Sequence, residues 1–195
     1  MKKLLILLFS ILISFNSYGE TKTDYYENGQ IKIEANYKDG KKDGKRTSWY
    51  ENGQIKIEEN YKDGKLDGKR TFWYKNGQKE QEENYKDGDL LGASTGYYYY
   101  ENGQIESKKE YKDERLNGKA TFWYKNGQKF IEGNYKDFGP DGKWTFWKLN
   151  GQKDEERNYK DGDLVDKTIF KYSFFTGHLK SEKKYKYGEC IIGDC

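Results

Sequence analysis

The dipeptide Asn-Gly recurs at Asn28, Asn52, Asn76, Asn102, Asn126 and Asn150, with a decayed copy at Thr176-Gly177, at intervals of 24, 24, 26, 24, 24 and 26 residues. Nine residues after each position stands a tyrosine: Tyr37, Tyr61, Tyr85, Tyr111, Tyr135, Tyr159 and Tyr185. Units this short cannot bury their own apolar surface, so the chain is restricted to a repeat architecture in which each unit rests on its neighbours. From each tyrosine to the next turn the gap is 15, 15, 17, 15, 15 and 17 residues, which confines the length variation to one half of the unit. Side chains alternate between faces along a strand, so an insertion of two leaves the facing pattern intact where an insertion of one would invert it. The variation respects a sheet.

Each unit holds two strand-like runs and two turn signals. WYENGQIKIEE (49–59) reads as strand, tight two-residue turn, strand, because Asn and Gly both accept positive φ. KDGKLDG (62–68) carries two Asp-Gly pairs and reads as a longer loop, the class that also holds Pro140, the one proline. No segment has a helical period. The expectation is an all-β chain, an elongated single-layer antiparallel β-hairpin meander or solenoid of 24–26-residue repeats, roughly 65 Å long at about 4.8 Å per strand.

Alternation assigns the faces. Ile31, Ile33, Ile55, Ile57, Ile105 and Ile131 are expected to share a face with the seven tyrosines, and Lys32, Glu34, Lys56, Glu58, Glu82, Glu132 and Glu156 to face solvent on the other. Runs such as TFWY (71–74 and 121–124) put aromatics on both faces. Composition explains the need for them. Leu, Ile, Val and Phe supply only 25 of the 176 residues after Gly19, too few for a large aliphatic core, whereas the 5 Trp, 19 Tyr and 10 Phe of the whole chain argue against disorder. Ring pairs across strands add about 0.5–1.5 kcal/mol each beyond burial. Past Gly19 the 34 basic and 33 acidic residues nearly cancel, which removes the electrostatic footprint of a nucleic-acid binder.

The first residues, MKKLLILLFSILISFNSYGE, join Lys2 and Lys3 to the apolar run 4–13, with Ser17 and Gly19 before the expected cut: a Sec-type signal peptide, too short an apolar run for a comfortable membrane span. The chain then divides into a signal (1–19), a repeat domain (20–187) and a tail (188–195) holding Cys190 and Cys195. In an oxidising compartment these two read as a small disulfide loop, with free thiols or a metal pair as alternatives.

YKDGKLDGKRTFWYKNG (61–77) resembles the MORN repeat: aromatic, x, Asn/Asp, Gly, three residues, Gly, an aromatic strand and another Gly. The likeness recurs over nearly all of 24–188 and is closest to the bacterial variant, here in about seven units. Copies drift: Glu114 and Phe138 replace the glycine of the YKDG box, Tyr99 the tryptophan and Thr176 the turn asparagine. The resemblance implies an elongated single-layer sheet acting as a scaffold or contacting membranes and partner proteins. Bacterial relatives often carry antitoxin or lipid-kinase labels; an export signal fits poorly with a cytosolic antitoxin, and no phosphate-binding glycine loop accompanies the repeats.

Catalytic readings find little support. His178 takes the place of the glutamine after the turn, without a partner for a triad. Recurrent carboxylates such as Glu34, Glu58 and Glu82 lack the contrast of environment that an acid/base pair needs. Asp39, Asp43, Asp63, Asp67, Asp87 and Asp161 match no calcium-loop spacing and read as turn formers. No enzyme, cofactor or metal site is expected. The row Trp49, Trp73, Tyr99, Trp123 and Trp147 is the candidate binding surface, read either as ring-on-ring support or as a line of rings for a ligand.

The leading expectation is therefore a non-catalytic exported protein, periplasmic, cell-surface or secreted, offering an interaction surface to a protein partner. The alternative is a cell-wall or glycan-binding module of choline or glucan type. Nucleic acid is not expected, peripheral membrane contact is disfavoured by balanced charge, and open edge strands invite end-to-end self-association.

Overall fold

The computed structural model describes residues 19–193; the signal segment up to residue 18 and Cys195 lie outside the described residues. Among these residues there is no helix, and 17 antiparallel strands form one open meander sheet from Glu20–Tyr25 at one edge to Glu189–Ile192 at the other. The two-residue strands Lys65–Leu66 and Asp89–Leu90 pair with the same preceding strands as Gly68–Trp73 and Ser94–Tyr99. The third unit shows the plan. Gly68–Trp73 pairs with Lys79–Lys86 through Gly68↔Tyr85, Thr71↔Glu82 and Trp73↔Lys79, and Lys79–Lys86 then pairs with Asp89–Leu90 and Ser94–Tyr99. The all-β single-layer meander is the observed fold.

The two turns exchange the roles expected of them. At Asn-Gly the loop has three residues: the Gly53 amide donates to Tyr50 O and the Tyr50 amide to Gln54 O, and of Glu51, Asn52 and Gly53 only the glycine has positive φ, at 81°. This is a type I turn closed by a left-handed glycine. The two-residue turn sits instead at Asp-Gly, where Asp63 and Gly64 have φ of 50° and 85° between the paired residues Lys62 and Lys65. Aspartate accepts the first left-handed position because its short polar side chain bonds locally. The non-glycine residues Glu114 and Phe138 occupy the second, at φ 61° and 74°.

A second difference follows from the first loop. Trp73 pairs with Lys79 but Phe72 with Gln81, so Glu80 is an extra residue, and the same break opens the other strands that follow Asn-Gly. A bulge turns the residue before it to the other face. Ile31, Ile55 and Ile105 therefore lie opposite Tyr25, Trp49 and Tyr99, not on the tyrosine face; Ile33, Ile57 and Ile131 keep the expected face. The bulge also lets Lys79 Nζ reach Glu82 Oε1, three residues on, at 2.8 Å.

Among the described residues no layer covers the sheet, so the buried groups lie along its midline. On the tyrosine face this midline holds Ala35 at 3%, Glu59 at 3%, Ala120 at 0% and Trp144 at 6% exposure. Trp144 lies flat on Gly133, where an added Cβ would sit 2.1 Å from the ring, donates its indole N–H to Asn134 O at 3.0 Å, and meets the Tyr135 and Tyr159 rings edge-on. On the other, tryptophan face, Thr47 and Thr71 are buried between glutamates of the neighbouring strands, and Thr121 between Lys108 and Glu132.

The first two-residue insertion becomes a step in the stack. Thr95 faces Glu82 on one side, as Thr71 faces Glu58, but Glu110 on the other, where Tyr97 takes the place opposite Lys108. Strands from the fourth turn onward are thus displaced by two residues, about 7 Å, with facing preserved.

Candidate functional site

Trp49, Trp73, Tyr99, Trp123 and Trp147 all end strands that enter an Asn-Gly turn, and all stand half-buried on the tryptophan face. On either side of the step, rings two strands apart are separated by about 9.6 Å, and the places between them are filled by the residues before the bulge, Ile55, Lys79, Ile105, Lys129 and Lys153. The ring contacts of the described residues include no pair within this row; Tyr99 instead meets Tyr74 edge-on at 6.4 Å. Ring-on-ring support along the row is therefore not how the rings are held. Lys129 lies 5.5 Å from the Trp147 ring centroid, a cation–π contact.

The turns fix the spacing of the row. The tyrosine after each ring donates its hydroxyl to the carbonyl of the next ring residue: Tyr26 to Trp49 at 2.7 Å, Tyr50 to Trp73 at 2.8 Å, Tyr100 to Trp123 at 2.6 Å and Tyr124 to Trp147 at 2.8 Å. Asn52 caps its own turn through the Gln54 amide and donates to Lys75 O of the following turn. At the step these bonds slide by two residues. Tyr74 reaches Tyr97 O, and Gln78, not Asn76, bridges to Gly103 O. Tyr97, absent from the row read in the sequence, thereby comes level with Trp73 and lies under Lys79, 5.3 Å from its ring centroid.

Beside the rings runs an ionic row. Glu82 takes Lys69 and Lys79, Glu132 takes Lys119 and Lys129, and Glu156 takes Lys143 and Lys153, while Lys45 pairs with Glu58. These glutamates are not the freely solvated residues expected, because the adjacent strands bring lysines over them. Partial burial alone would raise the Glu82 carboxyl, but hydrogen bonds from Lys79, Tyr97 and Lys69 outweigh it and hold the value at about 2. Glu132 and Glu156 are lowered in the same way, burial again opposing and lysine hydrogen bonds prevailing.

The tyrosine face carries a different device. Glu59 accepts from Arg46 Nη1 at 2.5 Å and from the Tyr61 hydroxyl at 3.2 Å, and its Oε1 lies 2.8 Å from Arg70 Nε, an ionic contact poorly aligned for a hydrogen bond. Arg70 continues to Glu83 at 3.7 Å and stacks over Phe72. Neither Glu59 nor Trp144 is marked by motif or spacing; only the position two residues before the repeat tyrosine, occupied by Ala35, Glu59, Glu83 and Gly133, identifies this midline.

The remaining sequence candidates are placed as follows. The carbonyl of His178 accepts from the Ser173 amide, the role of Gln54 in its turn. Asp39, Asp63, Asp87 and Asp161 are the left-handed residues of two-residue turns, Asp43 accepts from the Asp63 amide and Asp67 pairs with Lys86. Among the described residues no three His, Cys, Asp or Glu side chains converge as a metal site would, and no helix is long and apolar enough to cross a membrane. The pairing of Cys190 with Cys195 involves a residue outside those described.

The family described as MORN repeat variant matches residues 21–39, 42–63, 66–87, 95–113, 116–137 and 140–161. Most of these copies run from just after one Asp-Gly-type turn to the next, so the family's unit is the hairpin that carries the Asn-Gly turn. MORN repeats are in general non-enzymatic modules that bind proteins or membranes. No curated protein matches the chain.

Proposed function

We propose, because the chain belongs to the MORN repeat variant family, that it is an exported, non-catalytic interaction protein whose tryptophan face receives a protein partner at the cell envelope or outside the cell. Export rests on the Sec-type pattern of 1–19, and the hairpin around Thr176-Gly177 is read as a seventh, decayed copy. The observation that carries the reading is the half-buried row Trp49, Trp73, Tyr99, Trp123 and Trp147, in which the tyrosine clasps pin the four tryptophans. Rings held in place by the backbone lose little entropy on binding, and large aromatic anchors dominate protein interfaces. The 34 basic and 33 acidic residues after Gly19 nearly cancel, which disfavours an anionic membrane or nucleic acid as the partner. Photo-crosslinking residues placed at Trp73 and Trp123, with controls at Phe72 and Phe122 on the tyrosine face, test this in living cells. The proposal expects a discrete protein adduct from the tryptophan face only; adducts of equal yield from both faces contradict it. Cosedimentation with isolated cell walls that is lost on Trp73→Ala would move the assignment to the glycan-binding alternative.

A further inference from the structure

The step at the fourth unit leaves a concavity on the tyrosine face. Gly96 stands level with Gln81 on one side and Lys109 on the other, where regular units carry a ring, as at Phe72, or a longer side chain, as at Arg70. The Tyr98 and Tyr111 rings lean over the vacant place: an added Cβ at Gly96 would lie 3.3 Å from a ring carbon of each, and their hydroxyls are 3.0 Å apart. The resulting cavity has a volume of about 510 Å³ and is walled by Tyr74, Tyr98 and Tyr111 together with Glu80, Glu83, Asp113 and Glu114. A second, of about 590 Å³, opens beside it, shares Tyr74 and Tyr98, and adds Glu101 and Glu106.

Among the described residues of a chain rich in Lys and Arg, no basic residue lines either cavity. Glu83 is engaged by Gln81, Tyr85 and Arg70, but Glu80, Asp113 and Glu114 have neither a salt bridge nor a side-chain hydrogen bond. The Tyr98 ring already holds one ammonium, Lys109 Nζ, at 4.8 Å from its centroid. Rings attract cations through their negative faces, carboxylates add a charge that rings lack, and the apolar ring surface favours a cation with an alkyl body over a hydrated metal ion.

We propose that this cavity binds an alkylammonium group, the chemistry shared by a free aliphatic amine and the end of a lysine side chain. The site lies on the face opposite the tryptophan row, so it stands or falls separately from the partner-binding reading. The repeat supplies the scaffold, and the two-residue step together with Gly96 opens it around rings and carboxylates.

The test titrates the full chain with n-butylammonium chloride at constant ionic strength and follows the ring signals of Tyr98 and Tyr111 by NMR, with n-butanol as the neutral isostere. The proposal expects saturable shifts with a dissociation constant on the order of 1 mM, and none with n-butanol over the same range. The double variant Glu80→Gln/Asp113→Asn should bind about tenfold more weakly. Glu114→Gly should bind about threefold more weakly while raising the unfolding temperature, because it also relieves a left-handed glutamate; a merely damaged fold would lower both. A blocked Gly-Lys-Gly peptide separates the two sources: tighter binding than n-butylammonium assigns a lysine of a partner chain, weaker binding a free amine. Equal response to n-butanol, non-saturating shifts shared by the distant Tyr159 ring, or unchanged affinity in the double variant would overturn the proposal.

Discussion

Replacing Glu59 by alanine should be among the most damaging single changes on the tyrosine face. The carboxylate side chain is 4% exposed and lies between Arg46 and Arg70, which are 19% and 27% exposed. Its removal leaves two guanidinium groups on neighbouring strands with no anion between them. Two unit charges about 5 Å apart repel by about 3 kcal/mol at an effective dielectric constant of 20, and the arginines recover part of this by turning toward water. A loss of about 2–3 kcal/mol is expected, near the lower end of what breaking a buried ion pair does. The triple variant Arg46→Ala/Glu59→Ala/Arg70→Ala should by contrast fall within about 1 kcal/mol of the parent, because Ala35 and Ala120 already fill the same midline at 3% and 0% exposure. Urea unfolding at neutral pH, followed by the fluorescence of Trp49 and Trp73, which end the two arginine strands, measures both. A single variant losing less than about 1 kcal/mol, or a triple variant as unstable as the single, would refute the claim that the midline needs matched charge or no charge.

Phe138→Gly should stabilise by about 1 kcal/mol in thermal unfolding, since φ of 74° penalises a side chain that is 63% exposed; the gain is limited by loss of the Arg115 stack at 5.2 Å. Gly133→Ala should destabilise by about 1–3 kcal/mol, because the new methyl would displace the Trp144 ring. The Glu82 carboxyl is lower in the folded chain, at about 2, than its ordinary value of 4.5. Its contribution is therefore present above pH 4.5 and is lost as pH falls toward 2; Glu82→Gln should remove about 1–2 kcal/mol at pH 7 and flatten the acid limb of the unfolding-temperature profile. If Cys190 and Cys195 are bridged in the exported protein, alkylation without reductant leaves the mass unchanged, and the mature chain should begin at Glu20 by N-terminal sequencing; two added alkyl groups or a retained Met1 would contradict these readings.

The architecture was legible because the repeat is spelled in residues with strong backbone preferences. Asn-Gly and Asp-Gly mark reversals whatever surrounds them, and the even length of the insertions keeps every tyrosine on one face. The turn types were not legible, because Asn-Gly and Asp-Gly have overlapping preferences and only the hydrogen bonds of Tyr50 and Gln54 set the three-residue loop. The bulge followed from that loop, and with it the misplaced face of Ile31, Ile55 and Ile105. The tryptophan row was visible as a period, but its anchoring was not: tyrosine hydroxyls bond backbone carbonyls 23 residues away, a relation that appears only once neighbouring units lie side by side. Glu59 and Glu58 look alike in QIKIEEN, yet parity buries the first between arginines and gives the second a single lysine. The step at Gly96 combines a length change and a missing side chain, each ordinary in a strand, and only their coincidence opens a cavity.

The central claim is an open single layer of hairpins laid side by side, with both faces available. Small-angle X-ray scattering on the mature chain tests it most directly. A sheet roughly 65 Å long and one layer thick has a radius of gyration of about 21 Å in the monomer, with a cross-section about 10 Å deep. A value near 16 Å, that of a compact globule of about 176 residues, would mean that the layer folds on itself and that the tryptophan face is covered from within.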